Sequence, residues 1–390
     1  MKYFLYLGLW NEHKGAPGIA LFSLDSETGK ADFIRQEDDR ISSGDIVINK
    51  EKNILYLCNE TEKIFGFKAD TGIIYGFTIN PENGSLNKLF QTETYCPNPC
   101  YIILGQGDSG HKDCLIAANY GTSGFTADFI KTEDGSFIPH LCQKKSLLQV
   151  YHLNEDGIPD RITDIIEHVA DPDGKGIGTN IHCCNFSPCG KFIAVTNKGN
   201  GKLYLYRFDS NTQTLSITDS VITAEGMASP RYCLFHPSLP FIYVNQEKEK
   251  GGRMMINTYS YNVEGHLTEV SSVNVLPEGT IIPERARYEQ QGFAISKDGR
   301  FLYTCLKGPD CICVLKTEED GSAKVIQTVP VKGDWPRGLA LTPDGKACIV
   351  SAHCSGELNV YRVGADGTLE PSDICQGPVG GSNMAFYEMQ

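Results

Sequence analysis

The chain has 390 residues, of which 41% are hydrophobic, and a formal net charge of −13. That charge argues against nucleic acid or an anionic membrane as the main partner, although a local cluster of Arg and Lys could still bind a small anion. No segment approaches the roughly 20 consecutive apolar residues that a membrane-spanning helix needs. The composition therefore indicates a soluble globular protein.

The first strand is predicted at the apolar run 3–7, which is too short for a signal peptide and is not followed by a small-residue cleavage site. After it, a short apolar strand that ends in polar residues recurs at 54–60, 114–120, 192–198, 241–247, 301–307 and 347–353. A turn also recurs along the chain, at Thr28-Gly29, Asn83-Gly84, Asp134-Gly135, Asn211-Thr212, Glu264-Gly265, Asp320-Gly321 and Asp366-Gly367.

Turns that return at intervals of roughly 45 to 80 residues are typical of β-propellers, whose blades are repeated four-stranded sheets. Seven blades of about 50 residues would fill 1–390 as a single domain. The segments 3–7 and 384–387 are both strand-like, and a propeller has no exposed edge only if the two share one blade. We therefore predict an all-β fold, a seven-bladed β-propeller of four-stranded antiparallel blades, with its ring closed by the N- and C-terminal strands.

Fifteen cysteines are scattered along the chain, many of them at strand positions. Buried free cysteine behaves as a small hydrophobe, and thiols stay reduced in a chain that has no secretory signal. None of the neighbouring cysteines has the paired C-x-x-C spacing of a structural zinc site. We predict a cytoplasmic protein without a metal or another cofactor.

In a propeller, the loop before each innermost strand and the loop after each second strand lie on the same face. Polar residues at these positions should converge around the mouth of one central channel, where a site is commonly built. The candidates before an innermost strand include His182, Arg231 and Arg337. The candidates after a second strand include Glu60, Asn119, Tyr120, Lys198, Glu247, Lys307 and His353.

Several of these side chains have useful chemistry. His182 can act as a general base near neutral pH. Arg231 offers a planar donor fork that suits a carboxylate, a phosphate or a developing oxyanion. Glu247 can orient either residue or serve as the base itself. Lys307 and Arg337 add positive charge that would attract an anion.

At these residues the chain resembles the seven-bladed lactonase family, which includes bacterial 6-phosphogluconolactonases and fungal carboxymuconate-lactonising enzymes. The segment 226–237 is similar to the family's Gly-x-Gly-Pro-Arg-His-x-x-Phe-His-Pro. The segments 118–124, 182–188 and 243–247 resemble its Ala-Asn-Tyr, His-Ser-x-x-Phe-Ser-Pro and Tyr-Val-x-x-Glu motifs. The resemblance extends from end to end, and it implies that His182, Arg231 and Glu247 form the functional trio.

Four positions depart from the family's pattern. Asn180 replaces a His, Tyr232 replaces the His after the motif's Arg, Lys307 replaces an Arg, and His353 replaces an Asn. These changes bear on the identity of the substrate more than on the fold or on the location of the site.

The leading interpretation is a metal-independent hydrolase of a sugar-acid lactone, most plausibly 6-phosphogluconolactone of the pentose phosphate pathway. His182 would activate water, Arg231 would stabilise the oxyanion and Glu247 would hold Arg231 or the water. One alternative is a cycloisomerase of the carboxymuconate type, in which the base moves a carbon-bound proton. The other is a non-catalytic propeller that serves as a binding module or scaffold.

Overall fold

The computed structural model describes residues 1–10, 18–37, 41–60, 71–105, 113–121, 125–143, 145–169, 179–223, 229–248, 251–281 and 288–389. These residues form thirty strands, and they include no helix long and apolar enough to cross a membrane. Seven four-stranded antiparallel sheets are present, and the innermost strand of each contacts the innermost strands of its two neighbours. The sheets therefore close into a ring, and the predicted seven-bladed propeller is confirmed.

Six blades run from the innermost to the outermost strand in chain order. Blades 1 and 2 consist of β4 (Ser43–Asn49), β5 (Ile54–Asn59), β6 (Gly72–Ile79) and β7 (Leu86–Thr94), and of β8 (Pro99–Leu104), β9 (Cys114–Asn119), β12 (Ser146–Leu153) and β13 (Pro159–His168). Blades 3 and 4 consist of β14 (Ile181–Phe186), β15 (Phe192–Asn197), β16 (Lys202–Asp209) and β17 (Thr214–Ile222), and of β18 (Pro230–Phe235), β19 (Phe241–Gln246), β20 (Met255–Tyr261) and β21 (Leu267–Asn274). Blades 5 and 6 consist of β22 (Glu289–Ile295), β23 (Phe301–Lys307), β24 (Cys311–Thr317) and β25 (Ala323–Pro330), and of β26 (Pro336–Leu341), β27 (Ala347–Ala352), β28 (Glu357–Val363) and β29 (Leu369–Gln376).

Blade 7 joins the two ends of the sequence. Its strands, from the innermost outward, are β30 (Gly381–Glu388), β1 (Lys2–Leu9), β2 (Gly18–Asp25) and β3 (Lys30–Glu37). β1 pairs antiparallel with β30, with Leu5 opposite Phe386. The predicted closure of the ring by the terminal strands is therefore confirmed.

Burial along the strands follows their place in the blade. β5, β9, β15, β19 and β27 are second strands and are buried at every residue, because strands cover both of their edges and neighbouring blades cover both faces. The outermost strand β7 alternates between exposed and partly buried residues, since one of its faces meets solvent. Apolar second strands therefore make the packing between blades.

Tyrosines on second strands tie each of three blades to the next. The hydroxyl of Tyr6 donates to the carbonyl of Gly84 at 2.8 Å, that of Tyr56 to Gly157 at 2.6 Å and that of Tyr303 to Gly367 at 3.0 Å. Each acceptor is the turn glycine between the third and fourth strands of the following blade. The recurrent turns seen in the sequence therefore also serve as contacts between blades.

One predicted turn has a different place in the fold. Asp134-Gly135 connects β10 (Phe125–Lys131) and β11 (Phe137–Gln143), a separate two-stranded sheet inserted between β9 and β12. The turn between the third and fourth strands of blade 2 is at Asp156-Gly157 instead. Both dipeptides favour a tight hairpin, and turn chemistry alone cannot distinguish an inserted hairpin from a blade.

Candidate active site

A β-bulge near the start of each innermost strand positions the side chains at the mouth. The register shift holds His182 in blade 3, Arg231 and Tyr232 in blade 4, and Arg337 in blade 6. The other four blades have a shift at the corresponding place. Since a bulge turns a side chain away from the regular alternation of a strand, these residues are not confined to the faces that pack between blades.

Glu247 lies between two cations. Its Oε1 accepts a hydrogen bond from Nη1 of Arg231, and its Oε2 pairs with Nζ of Lys198. The side chains of Arg231, Glu247 and Lys198 are only 5%, 7% and 14% exposed. Burial alone would raise the pKa of Glu247, but the charges and hydrogen bonds of Lys198 and Arg231 outweigh it and hold that pKa at about 2. Glu247 is therefore an ionised carboxylate at neutral pH.

His182 packs beside this group. Its ring meets the rings of Tyr232 and Tyr120 edge to face, with centroids 5.3 and 6.2 Å apart. Its Nδ1 is buried and has no hydrogen-bond partner among the described residues. Burial, followed by the charges of nearby Arg and Lys side chains, holds the pKa of His182 well below its usual range. The imidazole is therefore neutral at neutral pH.

Arg337 lies against two indole rings and is not in an ion pair with a described carboxylate. Its guanidinium carbon lies 4.0 Å from the centroid of the Trp10 ring and 5.4 Å from that of Trp335. Among the residues that the structure describes, no acidic side chain pairs with it within 4.0 Å. Burial and the charge of Arg231 lower the pKa of Arg337 and outweigh the opposing effects of Glu60, Tyr232 and Glu247.

Lys307 and His353 surround the same indole. Nζ of Lys307 lies 3.5 Å from the centroid of the Trp335 ring and 3.5 Å from Oε2 of Glu289. The His353 ring centroid is 4.6 Å from that of Trp335, and its Nδ1 lies 3.1 Å from the carbonyl oxygen of Gly381. Lys307 therefore has a carboxylate partner, unlike Arg337.

The other three predicted substrate-binding residues have different positions. Tyr120 contacts His182, and Nζ of Lys198 lies 5.5 Å from the centroid of its ring. The negative charge of Glu60 is close enough to act on the pKa of Arg337. Asn119 is fully buried inside blade 2, where its Nδ2 donates to Oε1 of Gln149 at 2.9 Å. The structure thus brings Tyr120 to the site and keeps the Asn119 side chain within its blade.

Below the mouth, the central channel contains a cavity of about 250 Å³. Asp45, Tyr101, Tyr232 and Asn383 form part of its polar lining. Burial raises the pKa of Asp45 to about 7, in spite of hydrogen bonds from the backbone of Ile102 and other groups. Tyr232, one of the departures from the family's pattern, therefore touches both the cavity and His182.

Sequence reasoning missed Trp10 and Asp45 as members of this region, and it placed Lys198 at the mouth without giving it a role. Lys198 ends the recurrent strand phrase at 192–198, at the same position as Glu247 in the next blade, and that equivalence could have indicated its part in the site. Trp10 lies next to Arg337 only because blade 7 joins both ends of the sequence, so no local pattern could have indicated it.

Comparisons with known proteins agree with this architecture. A sequence model of the family described as "Lactonase, 7-bladed beta-propeller" matches residues 4–379. The chain is 24% identical over 365 residues to the 6-phosphogluconolactonase of Bacillus subtilis, covering 93% of this chain and 91% of that protein. It is 22% identical to the 6-phosphogluconolactonase of Formosa agariphila, covering 92% of both. It superposes on the structure of the periplasmic gluconolactonase of Pseudomonas aeruginosa with a TM-score of 0.79 and 20% identity, over 100% of both chains.

The fold and the match along nearly the whole chain define the class of protein. The chain belongs to the seven-bladed β-propeller lactonase family, and it is a lactone-hydrolysing enzyme.

Proposed function

We propose that this enzyme hydrolyses a sugar-acid lactone that carries an anionic group, with 6-phosphogluconolactone as the substrate. The proposal is carried by one observation: two guanidinium groups at the same mouth have different surroundings. Arg231 is paired with Glu247 beside a neutral His182, whereas Arg337 has no acidic partner among the described residues. The first group suits ester chemistry, and the second suits an anion away from the reacting carbonyl.

In the proposed reaction, His182 takes a proton from water as the water oxygen bonds to the lactone carbonyl carbon. Arg231 donates to the oxyanion that forms, and Glu247 holds the guanidinium in place. The tetrahedral intermediate then expels the ring oxygen, which receives the proton from His182. The products are a free hydroxyl and a carboxylic acid, which releases its proton to solvent and becomes a carboxylate. The lactone and one water are consumed, and His182 returns to its neutral form.

Arg337 is the proposed anchor of the phosphate. A guanidinium is the better partner for phosphate because its donors form a planar fork, whereas an ammonium acts as a point charge. Arg337 is stacked against two indoles that restrict its orientation, and a phosphate would not have to displace a described carboxylate from it. Lys307 would have to leave Glu289 to do the same.

A cytoplasmic location and a place in the pentose phosphate pathway belong to the same proposal. Fourteen cysteines whose side chains the structure describes are free thiols, which suits a reducing compartment.

The deciding experiment is turnover of a small lactone panel by the wild type and by His182→Ala. We expect hydrolysis of 6-phosphogluconolactone above the spontaneous rate, and a loss of about two to four orders of magnitude in His182→Ala. His236→Ala is the matched control, because His236 is a buried histidine of the same blade as Arg231 whose Nδ1 only accepts turn hydrogen bonds. If the wild type hydrolyses no lactone, the remaining interpretation is a non-catalytic propeller that serves as a binding module or scaffold.

The pH profile should follow from the neutral state of His182. Catalysis needs the unprotonated ring, and a pKa well below 6.5 keeps it unprotonated throughout the neutral range. With unphosphorylated gluconolactone, whose own charge does not change there, kcat/KM should stay level between pH 8 and pH 6. An acidic limb centred near pH 6.5 would contradict the assignment.

The cycloisomerase alternative has one observation in its favour, because two guanidinium groups at one mouth could hold the two carboxylates of a dicarboxylic lactone. A muconolactone in the same panel tests it. Interconversion of that lactone with the open-chain unsaturated acid, without hydrolysis of the sugar lactone, would support the alternative.

A further inference from the structure

Lys198 and Glu247 occupy equivalent places in neighbouring blades. Each is the first residue after the second strand of its blade. The backbone N–H of each donates to a carbonyl that lies two positions before His182 or Arg231, respectively. Lys198 donates to the carbonyl of Asn180 at 2.9 Å, and Glu247 donates to that of Ser229 at 2.8 Å. Both side chains are thus anchored at the mouth by the backbone, and they meet there as an ion pair.

The hydrogen bonding of Glu247 is divided between two partners. A carboxylate facing a guanidinium alone commonly binds it through two parallel N–H···O bonds. Here Glu247 uses one oxygen for Nη1 of Arg231 and the other for Lys198. Nε of Arg231 is buried and has no hydrogen-bond partner in the part of the chain that the structure describes. The Nε edge of the guanidinium thus remains unused by those protein groups.

We infer that Lys198 is a positioning residue of the active site, which holds Glu247 in a bridge and so prevents the carboxylate from closing on Arg231 through both oxygens. The inference rests on the proposed role of Arg231 at the reacting carbonyl. Arg231, Lys198 and Glu247 together have a net charge of one positive unit. An Arg231–Glu247 pair without Lys198 would have no net charge.

A second consequence concerns His182. Burial is the main cause of its lowered pKa, and the charges of Arg231, Lys198 and Arg337 act in the same direction. Of these three cations, Lys198 is the one that does not contact a substrate group in the proposed mechanism. Its removal should therefore raise the pKa of His182 without removing a group that binds the substrate.

The test is a double-mutant cycle with Lys198→Met and Glu247→Gln, measured on unphosphorylated gluconolactone. We expect Lys198→Met to lose about 10- to 100-fold in kcat/KM, less than the roughly 10²- to 10³-fold cost of deleting an oxyanion donor. In the Glu247→Gln background the same change should cost less than about threefold, because no carboxylate remains to close on Arg231. Equal losses in both backgrounds would overturn the inference, since Lys198 would then act directly on the substrate.

Two measurements do not depend on activity. A crystal structure of Lys198→Met should show Glu247 bound to Arg231 through both oxygens, and NMR titration should show a raised His182 pKa. Lys198→Arg should keep the bridge, and Lys202→Met, a half-exposed lysine of the same blade, should change neither readout. A single Glu247–Arg231 bond retained in Lys198→Met would overturn the inference. Absence of lactonase activity in the wild type would instead refute the proposed function and leave these two measurements decisive for Lys198.

Discussion

Arg231 and Arg337 carry the same charge in different surroundings. Burial lowers the pKa of Arg231, but Tyr232 and Glu247 outweigh it and raise that pKa, whereas the pKa of Arg337 is lowered by burial and by the charge of Arg231. Arg231 thus has a carboxylate in direct contact, whereas Arg337 forms no ion pair with any described acidic residue. An anion bound to Arg337 would give it such a partner.

Replacement of Arg337 should discriminate between substrates. We expect Arg337→Met to lower kcat/KM for 6-phosphogluconolactone by roughly 10- to 150-fold, the equivalent of about 1.5 to 3 kcal/mol for a charged hydrogen bond. The effect on unphosphorylated gluconolactone should be much smaller, because hydrolysis of the ester itself does not need this cation. Steady-state kinetics on the two lactones measure the difference.

Lys307→Met is the matched comparison, since Lys307 lies against the same indole but is paired with Glu289. Its loss should impair the phosphorylated substrate less than the loss of Arg337 does. If Arg337→Met loses the same activity on both lactones, Arg337 only shapes the pocket. The assignment of a phosphorylated substrate would then be wrong.

At the level of the elements, the blades are joined through their turns. Gly367 has a φ of +80°, and a Cβ there would lie 2.3 Å from Cδ1 of Phe301 in the preceding blade. Its carbonyl also accepts the hydrogen bond of Tyr303. Glycine is required at this position both by the backbone and by the neighbouring ring.

Gly367→Ala should therefore destabilise the fold more than a positive φ alone would. Gly345 is a matched control, because its φ is +72° and a Cβ added there would meet no atom within 4 Å. We expect Gly345→Ala to cost about 1 to 2 kcal/mol from the left-handed backbone, and Gly367→Ala to cost clearly more because Phe301 must also move. Calorimetric melting of both variants checks this, and equal shifts in Tm would show that the turn does not contribute to packing against the preceding blade.

The ring as a whole depends on one strand pairing between distant parts of the sequence. Removal of residues 1–8 would leave β30 without its partner β1 and would open blade 7 to solvent. We expect the truncated protein to lose the cooperative unfolding of the full chain, as measured by calorimetry. A synthetic peptide of residues 1–9 should restore it in part, and a truncated protein that melts like the full chain would contradict the closure.

The architecture was predictable because blade strands leave a local pattern. Apolar runs such as 192–197 and turns such as Asp366-Gly367 recur with each blade, and each recurrence supports the others. The inserted hairpin at Asp134-Gly135 was not predictable as such, since its turn chemistry matches that of a blade. The convergence of His182, Arg231, Lys198 and Glu247 on one face followed from the topology, whereas the ion pair of Lys198 with Glu247 depends on side-chain directions that the sequence pattern does not specify.

Blade 7 also has a consequence for synthesis. The ribosome makes β1 first and β30 last among the thirty strands, and at about 5 to 20 residues per second β1 waits on the order of 20 to 80 s for its partner. Trp10 follows β1, and its backbone N–H donates a hydrogen bond to the carbonyl of Gly380. Its indole ring lies against Arg337. The arrangement around Arg337 is thus complete only when translation has passed β30, so a nascent chain cannot present the finished mouth to a substrate.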